Sequence, residues 1–214
     1  MTGTIPSEML IATNNTGKLL EFSELFSELP IKFYTLKDFP DITDIPDTGS
    51  TFEENAALKA TGYAKQTGLW TLADDSGLEV SILKGAPGIY SARYAGEKAT
   101  IEEKIKKLLD EVEKTGDKEK RARFVCTISL ADKSGNLIHS ETRYCEGNLT
   151  AKPRGHNGFG YDPVFIPDGF KQTFGELSKE IKQQISHRAR AASQIKRFLL
   201  DFFQFSLDQA RFES

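Results

Sequence analysis

Apolar residues run unbroken from Met9 to Ala12 and stop at Thr13-Asn14-Asn15-Thr16-Gly17-Lys18. They then recur at Leu19, Phe22, Leu25, Phe26 and Leu29. The first pattern predicts a short buried strand, the second an amphipathic helix over Lys18–Glu28. Ile31–Leu36 reads as a second strand, followed by a Pro/Asp-rich loop from Phe39 to Gly49. TFEENAALKATGYAKQTG then carries Thr51 and Glu54 at capping-box spacing, an apolar stripe at Phe52, Ala56, Ala60 and Tyr63, and a stop at Gly68. Leu69–Ala73 is a further short strand. Thr100–Glu113 repeats the capped-helix pattern, with Thr100 and Glu103 at its start and Ile101, Ile105, Leu108 and Val112 on one face.

The period then changes. Arg123–Leu130 alternates Phe124, Cys126, Ile128 and Leu130, the signature of a half-buried strand. Asp132–Asn136 is a turn, and Leu137–Tyr144 returns as the hairpin partner. Val164–Ile166 is short and apolar. A last helix runs from Ser186 to Phe203, with Ala189, Ala192, Ile195, Phe198, Leu199 and Phe202 inward. The chain shows no repeats and no linker. Alternating β and α patterns around a central hairpin predict an α/β fold: a mixed central sheet flanked by helices, in two lobes, within a single domain over residues 1–214.

At 214 residues the chain is long enough for a substantial core, and 38% hydrophobic with 28% charged residues is ordinary for a folded enzyme. A net charge of -3 argues against a duplex nucleic-acid binder but not against a small anionic ligand. Cys126 and Cys145 lie in no metal-ligand spacing and read as reduced thiols, with a bridge left open. His139, His156 and His187 form no HExxH-type site. No secretory leader or bilayer-spanning run is evident, so the expectation is a cytoplasmic protein with no membrane partner.

Four stretches invite chemistry. The Thr13–Lys18 loop feeds a helix N-terminus, where free N–H groups and the helix dipole suit an anion and Lys18 adds a cation. It departs from a Walker A loop at Ala12 and Leu19, and an ordinary βα turn fits equally well. Asp74-Asp75-Ser76-Gly77 follows a strand, where a carboxylate pair suits Mg2+ or a general base, although Asp-rich turns look the same. Gly85–Gly96 reads as a shaped loop near a ligand or a surface loop. Gly155–Phe165 interleaves glycines with Phe159 and Tyr161, as a base-stacking platform or as a bulged strand with core aromatics. Asp162 there suits a base edge or the loop itself. Lys182, His187 and Arg188 sit at a break before the last helix, with Ser186 as N-cap. Cations there oppose the helix dipole, which hints at an anionic ligand, while a solvated basic stretch is the plainer alternative.

Together these stretches resemble the inosine triphosphate pyrophosphatase family, enzymes of non-canonical purine nucleotides. The matching runs are TNNTGK, TFEENAALKA, ADDSGLEV with GAPGIYSARYAGE, FGYDP and SHR, in family order and across most of the chain. The resemblance implies a homodimeric α/β protein with a cleft between two lobes. It implies Mg2+-dependent cleavage of inosine, deoxyinosine and xanthosine triphosphates to monophosphate and pyrophosphate. Carried onto this chain, it puts the phosphates on Thr13, Asn14, Asn15, Thr16, Gly17 and Lys18. Asp75 becomes the proton acceptor and a metal ligand, and Ser76 touches the substrate. Phe159, Gly160, Tyr161 and Asp162 hold the base; Lys182, His187 and Arg188 complete the site. Lys59 joins Lys18 and Lys182 in neutralising the polyphosphate. Asn14 stands where the family often has Gly, and Pro46-Asp47 precede Thr48-Gly49 where it often has acids, making Asp47 the candidate second metal ligand. Arg188, a permanent donor, suits a 6-oxo purine and opposes the 6-amino group of adenine. A broader pyrophosphatase, a silent nucleotide sensor and a single-stranded RNA binder are the rival readings, the last opposed by the acidic pI.

Overall fold

A computed structural model describes residues 6–116 and 118–212, with side chains through Phe202. Its strands are β1 (Glu8–Ile11), β2 (Lys32–Thr35), β3 (Trp70–Val80), β4 (Arg121–Ala131), β5 (Leu137–Leu149) and β6 (Phe165–Pro167). Its helices are α1 (Thr16–Leu25), α2 (Phe52–Thr67), α3 (Ile101–Lys114), α4 (Lys179–Ile185) and α5 (His187–Phe212). The strands form one mixed sheet in the order β2-β1-β3-β4-β5-β6. β1 pairs in parallel with both β2 and β3, and β5 pairs antiparallel with β6. This is the α/β class that the alternating patterns predict.

The chain divides into two compact units. One takes the chain up to Asp74, Thr127–Thr142 and everything from Ala191 onward; the other takes Asp75–Cys126 and Arg143–Arg190. In the first, Leu10, Ala12, Ala60, Tyr63, Ala64, Ala73 and Ala131 make a core, and its many alanines let α2 pack close to β1 and β3. In the second, Leu78, Val80, Leu108, Val112, Phe124, Phe165 and Phe174 are buried together. The rings of Phe124 and Phe165 meet edge to face with centroids 4.7 Å apart.

Several boundaries differ from the pattern reading. β3 does not stop at Ala73 but continues through the carboxylate pair to Val80. The strand tolerates those charges because Asp74 meets a lysine and because its far half is buried again at Leu78 and Val80. β5 runs past Tyr144 to Leu149, since Gly147, Asn148 and Leu149 pair with β6. A side chain at Gly147 would meet the Ile166 carbonyl oxygen at 2.2 Å, so the bare glycine is what lets β6 approach. α1 begins at Thr16 and ends at Leu25, leaving Phe26 and Leu29 buried beyond it. Lys182 lies within α4, not in a break. α5 runs to Phe212, and Phe202 is 37% exposed rather than inward, at the outer end of the apolar stripe.

Both helices start at their predicted N-caps, but only α3 closes the predicted reciprocal box. Thr100 and Glu103 form the reciprocal box on α3. On α2, Thr51 caps the Glu54 N–H, while the Glu54 carboxylate takes the backbone N–H and hydroxyl of Ser50, each at 2.7 Å. Neither cysteine is in a disulfide, and both are buried. Among the described residues no helix is long and apolar enough to cross a membrane.

Candidate active site

In the first unit, the parallel register hands β1 straight into the Thr13–Lys18 loop, with the Ala12 N–H donating to the Leu72 carbonyl at 2.7 Å. Asn15 is the N-cap of α1: its side-chain oxygen accepts the Lys18 N–H at 3.0 Å. Thr13 Oγ1 accepts the Asn15 N–H at 3.2 Å. Asn14, Asn15 and Thr16 are exposed, and Gly17 lies in the first turn of the helix. That turn contains no acid, and the ammonium of Lys18 lies 2.9 Å from the fully buried carboxylate of Asp74.

The loop before α2 is strapped to that helix by its polar face. Gln66 accepts the Thr43 N–H at 2.7 Å and donates to the Thr43 carbonyl at 2.9 Å. Tyr63 OH accepts the Ile45 N–H and donates to Asp44, each at 3.2 Å. Buried Asn55 accepts the Gly49 N–H at 2.7 Å. Lys59 lies 3.0 Å from Asp47. Asn55, Lys59, Tyr63 and Gln66 recur at helical spacing, a signal visible in the sequence that the apolar stripe obscured. Asp44 also accepts from Asn14 at 3.4 Å, tying the loop to the first site stretch.

In the second unit, Asp75 is 7% exposed and its Oδ1 accepts the Ser76 N–H at 3.1 Å. Successive strand residues face opposite ways, so Asp74 and Asp75 do not form the side-by-side pair that their adjacency suggests. Ser76 Oγ accepts from Arg188 Nη2 at 2.8 Å. In the Gly155–Phe165 stretch, the Asp162 carboxylate, 2% exposed, accepts the Phe159 N–H at 2.8 Å and the Lys182 ammonium at 2.5 Å. Asp162 therefore holds the loop and the lysine. Lys182 Nζ stands 4.8 Å from the Phe159 ring centroid and Arg188 Cζ 5.6 Å from it. One half-buried aromatic ring thus carries two cations. His187 stacks on Phe124, with centroids 4.7 Å apart and planes 10° from parallel.

Tyr161 is not a stacking platform. It is buried in the core, its hydroxyl donates to the Ser91 carbonyl at 2.9 Å, and burial pushes its phenol upward in pKa. Gly160 beside it supplies a left-handed turn at φ 61°. The Gly85–Gly96 stretch is structured by Ser91, whose hydroxyl accepts the Leu78 N–H at 2.9 Å and donates to the Gly88 carbonyl at 2.6 Å. Ser186 ends α4 and its Oγ accepts the Ala189 N–H at 3.2 Å, so it caps α5 as its sequence suggests. Among the described residues no group of three or more His, Cys, Asp or Glu is placed to hold a metal.

The order and contents of these stretches match a known family: the sequence profile of the Ham1 family covers residues 9–198. The chain belongs to the Ham1 family. A dITP/XTP pyrophosphatase of Oceanobacillus iheyensis is 44% identical to it over 193 residues, 90% of this chain and 98% of that protein. One of Coxiella burnetii is 43% identical over 200 residues, 92% of this chain and 98% of that protein. The solved structure of a HAM1 protein from Coxiella burnetii superposes with a TM-score of 0.82 at 43% identity, covering 91% of this chain and 98% of its own. The Staphylococcus aureus Ham1 protein gives 0.78 at 42% identity, covering 91% of this chain and 98% of its own. All the stretches singled out in the sequence fall inside the Ham1 match, and the end of α5 past residue 198 falls outside it.

Proposed function

We propose that this Ham1-family chain is a Mg2+-dependent nucleoside-triphosphate pyrophosphatase. It hydrolyses inosine, deoxyinosine and xanthosine triphosphates to the monophosphate and pyrophosphate. Relatives named dITP/XTP pyrophosphatase, matched over nine-tenths of the chain, support the reaction class. The observation that carries the reading is the cationic aromatic cluster of Phe159, Lys182 and Arg188, tied by Asp162 and Ser76.

On this reading Phe159 takes the purine on its free area. Arg188 donates to the 6-oxo group, which an adenine 6-amino group cannot accept. The α1 N-terminus with Lys18, and Lys59 of α2, take the phosphates. Asp75 orients a water and takes its proton as the oxygen bonds to the α-phosphorus. The α,β-anhydride breaks and pyrophosphate leaves. A buried carboxylate such as Asp75 suits Mg2+, which takes one or two carboxylates and completes its shell with waters and substrate phosphates; Asp47 is a further candidate ligand by family resemblance alone. When bound, Mg2+ neutralises the polyphosphate and stabilises the leaving pyrophosphate. Catalysis is then chiefly positioning and charge stabilisation.

The chain acts as one catalytic domain, cytoplasmic and homodimeric, the last checked by sedimentation equilibrium. Product analysis with inosine triphosphate and Mg2+ tests the function. Stoichiometric pyrophosphate supports it; orthophosphate, or no product, overturns it. Equal kcat/KM for inosine, xanthosine and guanosine triphosphates would refute the specificity.

A further inference from the structure

We infer that Asp74 is a positioning residue, an internal anchor that holds Lys18 at the mouth of the phosphate loop, and that the acid pair thereby splits its duties. The inference rests on the proposed pyrophosphatase reading and extends it to a residue that reading leaves without a task.

Three observations converge on Asp74. Its side chain is wholly buried, where a carboxylate is stable only with a charged or hydrogen-bonded partner. The Lys18 ammonium supplies one at 2.9 Å, and the Lys18 side chain as a whole is 14% exposed, so it is held close to the interior. Lys18 occupies the first turn of α1, where a cation opposes the helix dipole and no acid of the helix offsets it. An ordinary helix start would carry Asp or Glu there. Here the anion comes from β3, which the parallel pairing of Ile11 with Leu72 sets beside the loop.

Lysine has three N–H donors. One suffices for Asp74, and the others remain for phosphate oxygens. A lysine so anchored is ordered before substrate arrives, which removes the cost of immobilising a long side chain at binding. Asp75, on the opposite side of the same strand, is left for the water. Asp74 thus acts through Lys18 and touches neither water nor phosphate.

A double-mutant cycle tests this. Wild type, D74N, K18A and K18A/D74N are assayed for pyrophosphate release from inosine triphosphate at saturating Mg2+. We expect D74N to raise KM about tenfold, the size of one charge-assisted contact, with kcat lowered far less than in D75N. In the K18A background D74N should change neither parameter. An equal D74N cost in both backgrounds, or a D74N loss confined to kcat, overturns the anchor. Should D74N or K18A fail to fold, the cycle is repeated with D74E and K18R, which keep a charge at each position: coupled effects on KM support the anchor and additive ones overturn it. If wild type releases no pyrophosphate, the functional reading fails instead. The anchor is then read from tripolyphosphate affinity in the same proteins, by the same pattern of coupling.

Discussion

Gly158 makes a demanding test of the cluster around Phe159. Its φ of 72° is left-handed, and a Cβ there would stand 1.9 Å from Asp162 Oδ2 and 3.2 Å from Lys182 Nζ. The Asp162 carboxylate has nowhere cheap to go, because the Phe159 N–H and the Lys182 ammonium pin the same oxygen. Gly158→Ala therefore costs about 1 kcal/mol for the backbone conformation and about 2–3 kcal/mol for the charge-assisted bond that must be released. The sum is about 3–4 kcal/mol, and more if the buried ion pair separates fully. Gly160→Ala is the control: its φ is 61° and nothing lies within 4 Å of the added carbon, so only the backbone cost of about 1 kcal/mol applies. Urea unfolding followed by circular dichroism reads both. The variants should differ by about 2 kcal/mol or more, and Gly158→Ala should also raise KM for inosine triphosphate about tenfold as Lys182 leaves the Phe159 ring. Two variants of equal stability, with KM unchanged in both, would refute the claim that Asp162 is a pinned support.

Asp75→Asn should lower kcat by about 10²–10⁴, the usual worth of a general base, while affinity for metal-free nucleotide measured by calorimetry stays within a few-fold; full turnover would remove Asp75 from the proton path. Burial pushes the Cys145 thiol from 9.0 up to about 11, so the folded state keeps a proton that the unfolded chain loses. Stability from this group is present below pH 9 and falls as pH rises from about 9 to 11, by about 3 kcal/mol. Cys145→Ala should flatten that stretch of the alkaline unfolding curve, and an unchanged slope would count against it. Gly155→Ala, whose Cβ would meet the Gly175 carbonyl oxygen at 1.9 Å at a φ of 78°, should give little folded protein, since backbone rather than a movable side chain is in the way; a melting temperature near wild type would contradict this.

Much of this molecule was legible along the chain because the relevant forces are local. The N-cap roles of Thr51, Thr100 and Ser186 follow from a side-chain oxygen a few bonds from the N–H it accepts. The alternation of β4 and the stripe of α3 follow from backbone period, and the loop after β1 announced itself by composition. The candidate site residues follow from family resemblance, and what each side chain touches needs the third dimension. Adjacent Asp74 and Asp75 read as a pair in one dimension, yet strand geometry turns one toward Lys18 and the other away. Tyr161 and Phe159 look alike as glycine-flanked rings, but only a folded core decides that the first is buried and the second carries two cations. Polar partners such as Asp162 with Lys182 and Ser76 with Arg188 lie far apart along the chain. No local propensity encodes such contacts, because the free energy that selects them comes from packing and desolvation in the assembled structure.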